Sequence, residues 1–388
     1  MNILIIDDEP AILRSIKRML RSELGKHQLD LVDDPYKATE LIKSKHYDLV
    51  ISDMRMPGKD GCQVLAEVAH YSPKSIRAIL SGYSDKEQSV KAAEHAHLYL
   101  VKPFKQSTIT DLLHRADVLN SMPLSDQLRA GLGKLNALAP VPKLFLTLTN
   151  TLNNPEDRST SKDVADILMQ DMAMAAKVLQ LTNSAFFGGS NPIQDLHKAV
   201  TLLGTEIIKG LVLHQHLFDL NKDQPRLQQW REQLMIKNQR TAQLSRLIGV
   251  HQKAPREQLE SIALAGLLQD IGRLALIQQP GASVYTDQLC TELTNLSLCQ
   301  KEEQLFGTHH GWTGAYLLKL WGFLDPVIDA VALHHHPSQS GHNHFTPLTA
   351  VHAASALLDD SAEVDEEYLE KVNCLHALDD WKALAQTV

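Results

Sequence analysis

Little in this 388-residue chain supports a covalent framework or a membrane anchor. Its four cysteines, Cys62, Cys290, Cys299 and Cys374, are scattered and form no CxxC pair. Neither a disulfide scaffold nor a thiolate zinc site is expected, and a reduced, cytoplasmic setting fits best. No apolar run approaches the roughly 18 residues that a bilayer span needs, and the N-terminus enters a strand-like run at once, leaving no room for a signal peptide. Positive charge is short as well. With 38 Lys and Arg against 46 Asp and Glu the net charge is −8, and no basic stripe offers itself to nucleic-acid phosphates. Aromatic residues make up only 5% of the chain. Without GxGxxG or P-loop spacing, Gly188-Gly189-Ser190-Asn191-Pro192 reads as a turn and not a phosphate cradle. What remains is ordinary globular composition, 44% hydrophobic and 22% charged, in a chain long enough for two domains.

The most informative pattern is a set of charges placed just after short apolar runs. Ile3-Leu4-Ile5-Ile6 precedes Asp7-Asp8, Tyr47-Asp48-Leu49-Val50-Ile51-Ser52 precedes Asp53, and Leu98-Tyr99-Leu100-Val101 precedes Lys102. The runs read as buried strands. Between them, helical spacing recurs at Ile12, Ile16, Met19 and Leu20, at Ala38, Leu41 and Ile42, at Val64, Leu65 and Val68, and at Val90 and Ala93. Alternating strands and helices predict a parallel sheet, in which residues that end strands converge at one edge.

Three carboxylates gathered there repel one another unless a hard dication such as Mg²⁺ neutralises them, and Mg²⁺ retains open positions for phosphoryl oxygens. Lys102 would be the counter-charge for that phosphoryl. Ser81, after Ile76-Arg77-Ala78-Ile79-Leu80, adds a hydroxyl at the same edge.

On these residues, positions 1–120 resemble a response-regulator receiver domain. The resemblance implies a flavodoxin-like, doubly wound, five-stranded parallel (βα)5 fold. It makes Asp53 the phosphoacceptor, Asp7 and Asp8 the acidic pair, Ser81 the switch hydroxyl, Tyr99 the switch aromatic and Lys102 the family's lysine. It also implies Mg²⁺ held by Asp7, Asp8, Asp53 and the backbone carbonyl of Arg55, a cis bond at Lys102-Pro103, and a sensor histidine kinase as phosphodonor. Arg55 occupies a position where the family varies.

Ile109, Leu112, Leu113, Ala116 and Leu119 form a helical stripe that completes this domain before Ser121-Met122-Pro123. A further series, Leu124, Leu128, Leu132 and Leu135, runs to Ala139-Pro140-Val141-Pro142, giving a helical linker over 121–140. Its leucines pack either within one protomer or against a second copy, so a homodimer is an open possibility. From 141 to 388 helical spacing dominates, predicting an all-α output domain. Thr160-Ser161-Lys162-Asp163 reads as a helix start, and Gly188-Gly189 as the end of a helix holding Met174, Val178 and Leu181.

The second region resembles an HDOD domain, a relative of the HD phosphohydrolases, over about 135–360. The matching segments are Pro142-Lys143-Leu144, Asn183 to Gly188, Ala199 to Gly204, Gly266 to Gly272, Phe306 to His310, Gly314 to Leu318 with Trp321-Gly322, and His334-His335-His336-Pro337. HD hydrolases hold divalent metal on a histidine, a His-Asp pair and a later aspartate. Here the pair is Gln269-Asp270, the earlier histidine falls near Lys237 or Asn238, and the later aspartate aligns with Ser355. A neutral amide is a poor metal ligand, so a non-catalytic domain without a cofactor is expected.

Eight of the 19 histidines, however, fall between His309 and His352. His310 with His334 or His335 could meet across two packed helices as metal ligands, or His310 and His335 could be buried, hydrogen-bonded remnants. Glu302-Glu303 reads as solvated. The resulting expectation is a response regulator, switched at Asp53 by a histidine kinase, whose HDOD domain binds a downstream protein or ligand. The alternative is a metal-dependent phosphohydrolase acting on a phosphoester such as a cyclic dinucleotide.

Overall fold

The computed structural model describes residues 1–81, 95–138, 160–169, 195–205, 225–279, 295–320, 323–359 and 363–388, with single positions between these blocks. Backbone contacts divide the chain into two compact units, Met1–Val141 with Lys319–Gly322, and Pro142–Leu318 with Phe323–Val388.

The first unit is built on five parallel strands in the order β2-β1-β3-β4-β5. They are β1 (Asn2–Ile6), β2 (Gln28–Val32), β3 (Leu49–Asp53), β4 (Ile76–Ser81) and β5 (Leu98–Val101). Helices α1 (Pro10–Met19), α2 (Pro35–Ser44), α3 (Gly61–Tyr71) and α4 (Gln106–Ser121) connect and flank them. The parallel sheet expected from the alternation, and the doubly wound order that the resemblance implies, are what the first unit adopts. Strands β3 and β4 are buried along their whole length, as continuous apolar runs covered on both faces should be. β2 carries no such run, because it lies at the sheet edge and keeps Gln28 and Asp30 partly in water.

Local chemistry fixes the helix starts nearest the carboxyl edge. Asp60 accepts from the Gln63 N–H at 2.8 Å while Gln63 Oε1 accepts from the Asp60 N–H at 3.1 Å, a reciprocal cap that starts α3. Val64, Leu65 and Val68 then face the sheet at 0% exposure. In α1 the buried pair is Leu13 and Ile16. The helical segment expected around Val90 and Ala93 lies outside the described residues.

Helix α5 (Asp126–Leu138) belongs to this unit. Leu128 and Leu132 are buried, as is Leu124 before it, and the side chain of Leu135 lies outside the described residues. Two arginines tie the helix down. Arg129 donates to the carbonyls of Leu119, Asn120, Met122 and Leu124, satisfying the end of α4. Arg77, on β4 and 0% exposed, donates through Nη2 to the Gly133 carbonyl at 2.9 Å.

Among the described residues, the regular elements of the second unit are helices. They include α6 (Ser161–Leu168), α7 (Leu196–Leu203), α8 (Pro225–His251), α9 (Arg256–Leu268), α10 (Ile271–Leu276), α11 (Asn295–Phe306), α12 (His310–Leu320), α13 (Asp325–Leu333), α14 (Pro347–Leu357), α15 (Glu366–Lys371) and α16 (Leu378–Ala385). α14 is buried on nearly every side and packs against α8, α9 and α13, the behaviour of a helix that is apolar all round. α6 starts at a Thr160–Asp163 capping box; the helix expected to end at Gly188-Gly189 lies outside the described residues. Among the described residues no helix is long and apolar enough to cross a membrane.

Candidate functional site

Strand ends bring the predicted charges of the first unit together. Asp7 follows β1 and Asp53 ends β3, at 0% and 7% exposure, while Lys102 follows β5. Lys102 Nζ lies 2.8 Å from Asp7 Oδ2 and 2.5 Å from Asp53 Oδ1, bridging the two carboxylates. Each carboxylate is also held by a backbone donor, Asp7 Oδ1 by the Glu9 N–H at 2.9 Å and Asp53 Oδ2 by the Arg55 N–H at 3.0 Å. The Lys102 N–H donates to the Ser81 carbonyl at 2.8 Å, continuing the β4–β5 ladder to the edge. The Lys102-Pro103 bond is cis.

Asp8 is half-buried beside Asp7, and Ser81 is buried at the end of β4 opposite Val101. The backbone of Tyr99 pairs with Ile79 in the same ladder; its side chain lies outside the described residues. Arg55 is exposed, two residues past Asp53.

The electrostatics are those of two buried carboxylates sharing one ammonium. Burial lifts the Asp53 carboxyl above its ordinary range, with the charge of Asp7 adding, although Lys102 and the Arg55 N–H pull the other way. Burial alone would lower Lys102, but its bonds to Asp53 and Asp7 outweigh it and hold the ammonium protonated. Donors that are all oxygen, with Asp8 open to solvent, suit a hard cation of the Mg²⁺ kind. In the present geometry it is Lys102 that stands between Asp7 and Asp53.

The class is thus a doubly wound parallel sheet with acidic residues and a lysine meeting at its carboxyl edge, followed by a unit whose described elements are helices. The chain belongs to the HDOD family, whose model matches residues 138–337, and carries a response regulator receiver domain matched over residues 3–114. Chemotaxis protein CheY-3 of Vibrio cholerae is 31% identical over 118 residues, which are 30% of this chain and 90% of that protein. Response regulator protein FleR of Pseudomonas aeruginosa is 31% identical over 126 residues, 32% of this chain but only 26% of FleR. Among solved structures, the signal receiver domain of an HD domain-containing protein from Pseudomonas fluorescens is 30% identical, with 30% of this chain and 94% of that one covered at a TM-score of 0.29. A receiver places the chain in two-component signalling and implies a phosphodonor kinase as partner.

In the second unit, Gln269 and Asp270 sit between α9 and α10 at 0% and 1% exposure. Gln269 Nε2 donates to Thr241 Oγ1 at 3.2 Å, and Arg273 Nε lies 2.9 Å from Asp270 Oδ1. The Asp270 carboxyl lies well below the usual range. Burial opposes that, but the charges of Arg273 and Lys237 outweigh it. Lys237 itself donates to Asp359 at 3.0 Å. Asn238 and Ser355, the other positions matched to metal ligands of HD hydrolases, are buried.

Glu302 is the correction to the sequence reading. It is not solvated but 0% exposed, and its Oε2 accepts from both the backbone N–H and Nδ1 of His310, each at 2.7 Å. The signal was available: Glu302 shares the helical stripe of Leu298 and Cys299, so a charge there had to meet a buried partner. Arg273 was also passed over, a lone cation in the apolar run Ile271 to Leu276. Burial pushes the imidazoles of His334 and His335 well below their ordinary range, and that of His309 down to about 3.

Proposed function

We propose that this protein is a phosphorylation-switched response regulator whose HDOD unit signals by binding and not by hydrolysis. The observation that carries the reading is Lys102 Nζ bridging Asp7 and Asp53 at the ends of three strands. An oxygen of Asp53 attacks the phosphorus of a phosphohistidine on a sensor histidine kinase, the P–O bond forms as the P–N bond breaks, and the imidazole of the kinase leaves. Lys102 then transfers its charge from the two carboxylates to the phosphoryl oxygens. Asp7, Asp8, Asp53 and the Arg55 carbonyl would hold Mg²⁺, which neutralises the transferring oxygens. Ser81 supplies a hydroxyl to the aspartyl phosphate and Tyr99 responds beside it, so that added charge changes the surface around β5 and α4.

A non-catalytic output is supported by Gln269 in place of an imidazole, and by a lysine, Lys237, paired with Asp359 where an early histidine would stand. The downstream partner is a protein or a ligand, and the protein acts in the cytoplasm without binding nucleic acid directly. The test is phosphoryl transfer from a small-molecule donor with Mg²⁺, followed on a phosphate-affinity gel. Wild type should shift and Asp53→Asn should not, and a pull-down with phosphorylated and unphosphorylated chain should differ in what it captures. Equal labelling of Asp53→Asn removes the proposal. The hydrolase alternative has one observation behind it, the meeting of Asp270 with three histidines, and turnover of a phosphodiester with Mn²⁺ or Fe²⁺ would favour it.

A further inference from the structure

Four side chains of the second unit converge on one another, while Glu302, Arg273 and the Val331 carbonyl hold His310, Asp270 and His334 from outside the cluster. The ligand atoms of Asp270, His310, His334 and His335 all lie within 4.8 Å of one another. They come from three places in the chain: the α9–α10 junction, the first turn of α12, and the two residues after α13. Asp270, His310 and His334 are at most 1% exposed.

The geometry is that of a coordination sphere. His310 Nε2 is 3.1 Å from His335 Nε2 and 3.4 Å from Asp270 Oδ1. A tetrahedral ion bound at about 2.0–2.1 Å holds neighbouring ligand atoms about 3.3–3.4 Å apart, so two edges already have nearly that length. The rings are oriented for it. His310 Nδ1 is committed to Glu302 at 2.7 Å, which turns the Nε2 lone pair inward, as carboxylate partners do for metal-bound histidines. His334 Nδ1 donates to the Val331 carbonyl at 2.9 Å, and its Nε2 is buried with no hydrogen-bond partner. Asp270 Oδ1 makes no hydrogen bond and is neutralised by an ion pair with Arg273 Nε at 2.9 Å. A buried ring nitrogen left with nothing to bind costs stability unless something fills the gap.

We propose that the HDOD unit holds one borderline divalent transition ion, of the Zn²⁺ or Fe²⁺ class, on Asp270, His310, His334 and His335. Three imidazoles and a carboxylate favour such ions over Mg²⁺ or Ca²⁺. All four positions are filled by protein, so the site is closed and ties α9 and α10 to α12 and α13 without an open position for water attack. The ammonium of Lys237, whose charge acts on both Asp270 and His335, disfavours a second cation beside the first. This inference does not depend on the receiver chemistry and survives if Asp53 proves silent.

The test uses the full chain, purified without a polyhistidine tag or chelator. Elemental analysis should find close to one zinc or iron per chain. After chelator treatment, Co²⁺ should restore a saturable visible d–d spectrum, and Zn²⁺ should displace it. His335→Gln, at the least buried ligand, should weaken Co²⁺ binding at least tenfold while the far-ultraviolet circular dichroism stays native. Glu302→Gln should weaken it 10- to 100-fold. His342→Ala and His344→Ala, at histidines outside the cluster, should leave binding unchanged. No ion in the purified protein together with no cobalt spectrum overturns the proposal, and so does a spectrum that His335→Gln leaves intact.

Discussion

Arg77 Nη2 lies 2.6 Å from His97 Nε2, both side chains buried, on β4 and just before β5. A guanidinium can only donate, so the ring must accept and remain neutral. Burial first, and then the charge of Arg77, hold the His97 imidazole well below its ordinary range. An unfolded chain binds this proton near pH 6.5, whereas the folded one resists it. The stabilisation is therefore complete above about pH 6.5 and is lost as pH falls below it, at up to ~1.4 kcal/mol per pH unit. Denaturation midpoints of wild type and His97→Gln across pH 5 to 8 should converge at the acidic end, because the variant lacks that penalty.

Lys102→Ala should cost both chemistry and stability. Losing the positive charge at the phosphoryl oxygens is expected to slow transfer to Asp53 about 10²–10³-fold. The unphosphorylated chain should lose about 1–3 kcal/mol, since Asp7 is fully buried and gives up its ammonium partner. Added Mg²⁺ should recover part of that loss in a thermal melt, and the same ion should do little for an Asp53→Ala, Lys102→Ala double variant.

Gly61 opens α3 against β3, and a Cβ there would overlap the backbone carbonyl of Asp53 and press on Ile79. Gly61→Ala should destabilise the first unit by about 1–3 kcal/mol. Because the clash falls on Asp53 itself, phosphorylation should slow by more than the lost stability explains. Asp60→Ala, which removes the neighbouring cap at a cost of about 1 kcal/mol, serves as the comparison and should leave the labelling rate nearly unchanged.

Arg129→Ala removes donors from the carbonyls of Leu119, Asn120, Met122 and Leu124 at once. Leaving a buried helix end unsatisfied should cost about 2–3 kcal/mol. Amide hydrogen exchange should rise first in α4 and α5.

The fold of the first unit was legible because strands buried on both faces are written as continuous apolar runs, and the charges that matter end those runs. β2 was not, since an edge strand keeps Gln28 and Asp30 in water and loses the pattern. Asp7, Asp53, Ser81 and Lys102 could be placed at one edge by topology alone. What sequence could not supply was which of them touch, and the bridging position of Lys102 depends on a register set by four strand pairings. In the second unit the departure from the HD pattern was plain at Gln269, yet the convergence of Asp270 with His310, His334 and His335 depends on packing between helices far apart in the chain. Glu302 is a different case: its burial could be read from the stripe it shares with Leu298 and Cys299, but its partner His310 could not.

The attachment of α5 bears on how this protein should be cut and recombined. A receiver fragment ended at Ser121 would strip the Gly133 carbonyl from Arg77 and Arg129 from the carbonyls at the end of α4, and would remove the buried side chains of Leu128 and Leu132. Chimeras that graft this receiver onto another effector, or isolate it for spectroscopy, should carry the chain through Leu138, and a junction placed earlier should yield an aggregating module.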